Sequence, residues 1–334
     1  MKKRMKSILL VFFVIFFSMT TFTGCNRTKE ENGQLTFAYL ASFLSHEFYQ
    51  RAISGMETEA KSHNVKLLIA DSNNDVSTQV GHMETYIAQK PNAIILSAVD
   101  PNSLISLVQK AKAAGIVVVS DGQPIGGGED TIVGNDWYDN GRMLGEWLVE
   151  EVRRRGIEPN ILVVGLPTLP IIVDLEKGFT DSFQKSGIVH RLTSVDGQGM
   201  KEDSLVKATD ALTANPDINI IFGINDDSIL GAIQAAKALG LDPTKMITMT
   251  NGLEGNAGCI AMAEEGTLTV ACALFPEIYG AYMVKASIEA VDRKLPELYM
   301  SPVTIVTKEN MSKFYVKQGE DYVLNYENAL SLLK

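Results

Sequence analysis

Ser42, Ser97, Asp121, Asn135, Asn225 and Asn251 each end or follow a short apolar run rich in β-forming residues, and Asp136, Thr168 and Asp226 stand in the same relation to theirs. His46, Phe48, Tyr49 and Trp137 lie close to such ends. Hydroxyls, amides and carboxylates beside aromatic rings suit one kind of ligand. It carries several hydroxyls, which donate and accept hydrogen bonds at once, and a C–H face that packs on a ring. Each residue also has a plainer reading. Asn, Asp and Ser at a strand end cap the helix that follows, and Phe48 with Tyr49 equally suits a hydrophobic staple or core. His46 reads as a donor to a ligand hydroxyl or as a solvated turn histidine.

Arrangements for covalent or metal chemistry are thin. The four histidines, His46, His63, His82 and His190, make no metal-type spacing with one another or with cysteine, so no metal site is expected. No GxSxG elbow is present, and Asp226 and Asp227 are adjacent rather than spaced as an acid and a base, which reads as a cap and a surface charge. Gly126 to Gly128 lacks the spacing of a phosphate cradle and reads as a flexible turn. The expectation is a binding protein with no cofactor, not an enzyme.

The elements that must position these residues repeat one unit. Leu35 to Leu40 is an apolar strand pattern, SFLSHEFY a polar and aromatic turn, and Phe48, Ala52, Ile53, Met56 and Ala60 recur at helical spacing. VKLLIAD, AIILSAV, IVVVSD and TIVGND continue a strand-and-helix alternation at a period of roughly 25 to 30 residues. A second run after Asp136 carries ILVVGL, IVHRLTSV, INIIFGIND, MITMTNG and TLTVACALF with helices between them. Runs this continuously apolar are buried on both faces, as parallel strands are. The predicted fold class is α/β, with two doubly wound parallel-sheet lobes. In such sheets ligands bind outside the carboxyl ends of the strands, where the polar residues above fall. A helix from Glu277 to Asp292 and a strand PVTIV follow, and the tail from Asn310 to Lys334 shows little pattern.

Length and charge narrow the class further. The 334 residues, 46% hydrophobic, provide for two domains with cores of their own, and a net charge of -10 argues against a nucleic-acid partner. Residues 1–25 run from basic MKKRMK through apolar ILLVFFVIFF to SMTTFTGC, the pattern of an export signal. FTGC resembles a bacterial lipobox, which makes Cys25 a lipidated N-terminus; Phe22 replaces the usual leucine. Residues 26–34 read as a polar tether. Cys259, in a helical pattern, and Cys272, in a strand pattern, read as two buried thiols, the alternative being a disulfide.

The segments SHEFYQRAISG, DSNND, ILSAVDPNSL, IVVVSDG, GND at Gly134 to Asp136, EKGF and INDDSILGAIQAAKALG occur in an order and spacing that resemble the type I periplasmic solute-binding proteins. The similarity lies close to the ribose- and galactose-binding group that serves ABC sugar importers, and runs from Leu35 to about Lys308. It implies two lobes with ligand between them, joined by crossings near Asp136, Leu274 and Thr304. The N-terminal lobe would take 35–136 plus 275–303, and the other 137–274 plus 304–334.

The resemblance also implies roles. Ser42, His46, Phe48, Tyr49 and Ser97 match first-lobe ligand positions, His46 standing where ribose binders have an amide. Asp121 matches a carboxylate that grips sugar hydroxyls, Asn135 a contact position and Asn225 a second-lobe amide. Asn251 stands where the family usually has an aspartate. Gly122 replaces one arginine of the ribose binders, Leu175 stands near a second, and Leu274 replaces a hinge glutamine. A site without those donors leaves ribose hydroxyls unpaired, so the expected ligand is larger or less polar, with Trp137 beside it. The implied partner is an ABC permease, the alternative a membrane histidine kinase or chemoreceptor. A repressor of similar fold would need a helix-turn-helix where this chain has an export signal.

Overall fold

The computed structural model describes residues 33–333. The export signal, Cys25 and most of the tether fall outside them. The first half of the fold runs β1 (Leu35–Ala41), α1 (Glu47–Ser62), β2 (Val65–Asp71), α2 (Val76–Gln89), β3 (Ala93–Leu96), α3 (Pro101–Ala113), β4 (Val117–Asp121) and β5 (Thr131–Gly134). The second runs α4 (Trp137–Arg155), β6 (Asn160–Gly165), α5 (Pro170–Ser186), β7 (Arg191–Asp196), α6 (Lys201–Ala214), β8 (Ile220–Gly223), α7 (Asp226–Ala238), β9 (Ile247–Gly252), α8 (Asn256–Ile260) and β10 (Val270–Ala273). The chain ends with α9 (Pro276–Asp292), β11 (Leu298–Met300), β12 (Thr304–Thr307), β13 (Tyr315–Gln318), β14 (Asp321–Leu324) and α10 (Tyr326–Leu332).

Local chemistry starts these helices where the strands stop. Asp75, Asp100, Asp136 and Asn225 accept backbone N–H groups in the first turns of α2, α3, α4 and α7. The ring of His46 does the same for α1, whose inner face is Ala52, Gly55, Met56 and Ala60 at helical spacing. β3 and β4 are buried along their whole length, as strands covered on both faces must be.

Two six-stranded sheets result, in the orders β2-β1-β3-β4-β5-β11 and β7-β6-β8-β9-β10-β12. The first is wholly parallel. The second has one exception to the parallel expectation, β12, which pairs antiparallel to β10. In each sheet the first strand lies one place in from the edge, so the winding reverses beside it and leaves the crevice where doubly wound sheets bind ligands. Helix α9, reached after five of the second sheet's six strands, returns to the first sheet and packs on α1. The approach is close: a Cβ on Gly280 would lie 1.9 Å from the carbonyl oxygen of Ala52.

The tail is more ordered than its sequence indicates. β13 and β14 form an antiparallel hairpin, and Phe314, Tyr315, Leu324 and Ala329 join the core of the second half. β11 was also not legible; its three residues are too few for a pattern. The loop of Gly126 to Gly128 is no loose turn, because the Glu129 carboxylate accepts the N–H groups of Ile125, Gly126 and Gly127. Cys259 and Cys272 are free and buried; burial pushes the Cys272 thiol up to about 12 and that of Cys259 further.

Candidate functional site

The carboxyl ends of both sheets open on one cleft of about 330 Å³. Strands β1 to β5 deliver Ser42, Asn74, Ser97, Asp121 and Asn135 to it, and β6 to β10 deliver Leu166, Gln198, Asn225, Glu254 and Leu274. The ten residues expected beside the ligand border it, with His46, Phe48 and Tyr49 from the first turn, Trp137 from the start of α4 and Asn251 on β9, whereas Asp136 and Asp226 do not. Thr168 is exposed and does not line it. Leu175 turns into the core with Phe179, so the absence of an arginine there leaves no gap in the cleft wall.

The first-sheet side is a connected polar network. Asp121 is 8% exposed and accepts the hydroxyls of Tyr39, at 3.2 Å, and Tyr279, at 2.6 Å. Burial raises its pKa, and the two tyrosine hydroxyls oppose that shift. A carboxylate has about four acceptor sites, so two such bonds leave capacity for a ligand hydroxyl. Ser42 Oγ and Ser97 Oγ lie 3.2 Å apart, and Ser97 Oγ donates to the Tyr49 hydroxyl at 3.3 Å. Buried Gln79 fixes this corner by donating to the Ser97 carbonyl at 2.8 Å. Asn135 is tied by its side-chain N–H to the carbonyl of Ser301, 2.8 Å away. Phe48 packs edge-on to Tyr49 and tilted on Tyr279, each at 5.4 Å between centroids. Gly122, after Asp121, has φ of +77°, a conformation that strains any side chain, so the backbone here favours glycine.

The second-sheet side differs. Asn225 is both cap and lining residue: its carbonyl oxygen accepts from Ser228 N and its amide donates to the Gly199 carbonyl, each at 2.9 Å. Asn251 is fully buried in the cleft floor, where its oxygen accepts from Asn140 at 3.2 Å while its Nδ2 has no partner. The Trp137 indole N–H also lacks one. Apart from Gln198, Gly199 and Glu254, the remaining wall is aliphatic.

Two carboxylates close one end. Asp226 is not the cap that its position suggested; it reaches under the loop after β9 and accepts the N–H groups of Leu253 and Glu254, both at 2.8 Å. Glu254 lines the cleft and is buried with an unpartnered Oε2. Burial first, then the charges of Asp226 and Asp227, hold its pKa well above the usual carboxylate range. Asp227, by contrast, is half-exposed, 3.8 Å from Nε2 of His46 across the cleft mouth. Beside it, Glu47 on α1 accepts the N–H of Asn256 on α8 at 2.9 Å, so the two halves touch here. No lysine or arginine lines the cleft, and no cluster among the described residues would hold a metal ion.

A sequence model of the periplasmic binding protein domain matches residues 37–295 of this chain. The chain belongs to that family. This periplasmic binding protein is therefore a solute-binding protein, not an enzyme, and works outside the cytoplasm. It is 25% identical to the ribose import binding protein of Bacillus subtilis (strain 168), over 83% of this chain and 88% of the relative. It is 26% identical to the galactofuranose-binding protein YtfQ of Escherichia coli (strain K12), over 67% and 72%. Its fold is that of the ABC transporter periplasmic solute-binding protein from Actinobacillus succinogenes solved with bound D-allose, with a TM-score of 0.75 and 24% identity over 84% of this chain and 100% of that one.

Several lining residues escaped the sequence reading. Glu254 and Gln198 obey the strand-end rule and could have been found by it. Leu166, Leu169, Ile171 and Ile172 obey it too, but a search for polar groups passes over them. Tyr279 carried no local signal, since it sits on α9, 158 positions from the Asp121 it contacts.

Proposed function

We propose that this periplasmic binding protein captures a sugar or related polyol in the cleft and delivers it to an ABC importer. The observation that carries the reading is the convergence of ten strand ends on one cleft, with buried Asp121 presented among serines, an asparagine and aromatic rings. Relatives named for ribose and galactofuranose, and the neighbour solved with D-allose, support the same ligand class. Ser42, His46, Phe48, Tyr49, Ser97, Asp121 and Asn135 would hold the ligand from one side, and Trp137, Asn225 and Asn251 from the other. The lobes are 35–136 plus 275–303 and 137–274 plus 304–334. Contacts from both exist together only when the lobes are closed, so ligand shifts the population toward closure. The bond from the Asn256 N–H to Glu47 and the approach of His46 to Asp227 belong to that closed state. Lipid on Cys25 would hold the protein at the membrane beside its permease; Cys25→Ala should then release it from washed membranes.

A thermal-shift panel of pentoses, hexoses, polyols and disaccharides on the folded chain tests the reading. A ligand at a hundredfold excess over its Kd adds about 2.7 kcal/mol of stability. One sugar should raise the melting temperature by several degrees in wild type and fail to do so in Asp121→Ala. A cooperatively folded protein that no sugar or polyol shifts is not a sugar binder.

A further inference from the structure

The two sides of the cleft are chemically unlike. The first-sheet side has no aliphatic side chain larger than Ala98, whereas Leu166, Leu169, Ile171, Ile172, Ile224 and Leu274 all come from the other half or its exit. Four of these six fall between 166 and 172, in the loop after β6 and the first turn of α5. Ile172 belongs to the core of the second half and the other three pack against it, but Leu169 also departs from a local rule. Leu169 is the N-cap of α5, with φ of -105° and ψ of 114°, and it makes no side-chain cap bond. Ser, Thr, Asp or Asn is favoured there because an oxygen can accept the N–H groups of the first turn, and leucine forgoes that. Leu169 packs with part of its surface on the core beside Leu175 and Phe179, and the part left uncovered lines the cleft. A local rule broken at a residue that faces a ligand cleft points to a role in the cleft.

Resting on the sugar-binding reading, we propose that the ligand is a sugar with one hydrocarbon edge, a deoxy sugar or O-alkyl glycoside, whose methyl group lies on the 166–172 wall while the opposite edge meets Asp121, Ser97 and Asn135. A hydroxyl in place of that methyl would lose water without gaining a partner. The ligand carries no phosphate or carboxylate, because Asp121 and Glu254 line the cleft and no lysine or arginine does.

Calorimetric titration with matched pairs differing by one group tests this: L-fucose against L-galactose, L-rhamnose against L-mannose, methyl β-D-galactoside against D-galactose. The deoxy or methylated member of at least one pair should bind roughly ten- to a hundredfold tighter than its partner. Leu169→Ser should erase that preference in a protein that still unfolds cooperatively, the cap it supplies offsetting the core contact it loses. Leu169→Met should keep the preference. Tight binding of the hydroxylated members without discrimination overturns the inference and leaves sugar capture standing. Tight binding of a sugar phosphate also overturns it. Failure of every sugar to bind the folded protein removes both readings.

Discussion

Asp226→Ala should be among the most destabilising single substitutions near the cleft. The carboxylate is 7% exposed and accepts two backbone N–H groups, from Leu253 and Glu254, at 2.8 Å each. A hydrogen bond to a charged group contributes about 1.5–3 kcal/mol. Two such bonds are lost in the alanine variant, and two buried N–H groups are left without acceptors. Against this stands relief, because the variant no longer buries a charge next to Glu254. The net expectation is a loss of about 2–4 kcal/mol in urea unfolding. Asp226→Asn keeps one acceptor oxygen and should lose about 1 kcal/mol. An alanine variant within about 0.5 kcal/mol of wild type would refute the assignment of Asp226 as the anchor of the loop after β9.

The same pair fixes a pH dependence. Burial raises the pKa of Asp226 in the fold, and burial with the neighbouring charges raises that of Glu254. A carboxyl whose folded pKa is raised contributes stability that is fully present below its unfolded value, about pH 4, and lost as pH rises through the folded one. Glu254→Gln should therefore be more stable than wild type at pH 7.5, with the difference shrinking toward pH 5. A difference that grows on acidification would reverse the sign and contradict the account.

Three further expectations follow from single contacts. Tyr279→Phe removes a hydroxyl 2.6 Å from Asp121 Oδ1 and 2.8 Å from the Val133 carbonyl, and should cost about 1–3 kcal/mol by denaturant titration. In Gly255→Ala the new Cβ would lie 2.0 Å from Glu47 Oε2, forcing Glu47 off Asn256; ligand affinity should fall roughly fivefold, about 1 kcal/mol, with the melting temperature of the free protein nearly unchanged. Cys259 and Cys272, buried and with raised pKa values, should resist a thiol reagent in the native protein and react when it is unfolded.

What the sequence discloses here follows from how local each signal is. The alternation of apolar strand and amphipathic helix is local, and it suffices for two doubly wound sheets. Their carboxyl ends, found by the same alternation, are where Ser42, Ser97, Asp121, Asn135 and Asn225 meet. Asp226 shows the limit, since a carboxylate after a strand looks like a helix cap, and only the fold reveals that its acceptors serve another loop. Tyr279 is set by the return of α9 to the first sheet, which no pattern near residue 279 encodes. Leu169 carries no signal in the sequence, because leucine is informative only once the helix start that it fails to cap is known. The hairpin of β13 and β14 is too short for periodicity, and its order comes from Phe314 and Tyr315 packing on Phe275.

Calorimetric titration of the sugar giving the largest thermal shift, into wild type and into Asp121→Ala, bears most directly on the proposal of sugar capture between the lobes. One saturable site is expected in wild type, with binding at least a hundredfold weaker in a variant that still unfolds cooperatively, as expected when a charged hydrogen-bond acceptor for the ligand is deleted. Equal affinity in the two proteins would place the sugar somewhere other than this cleft and contradict the account.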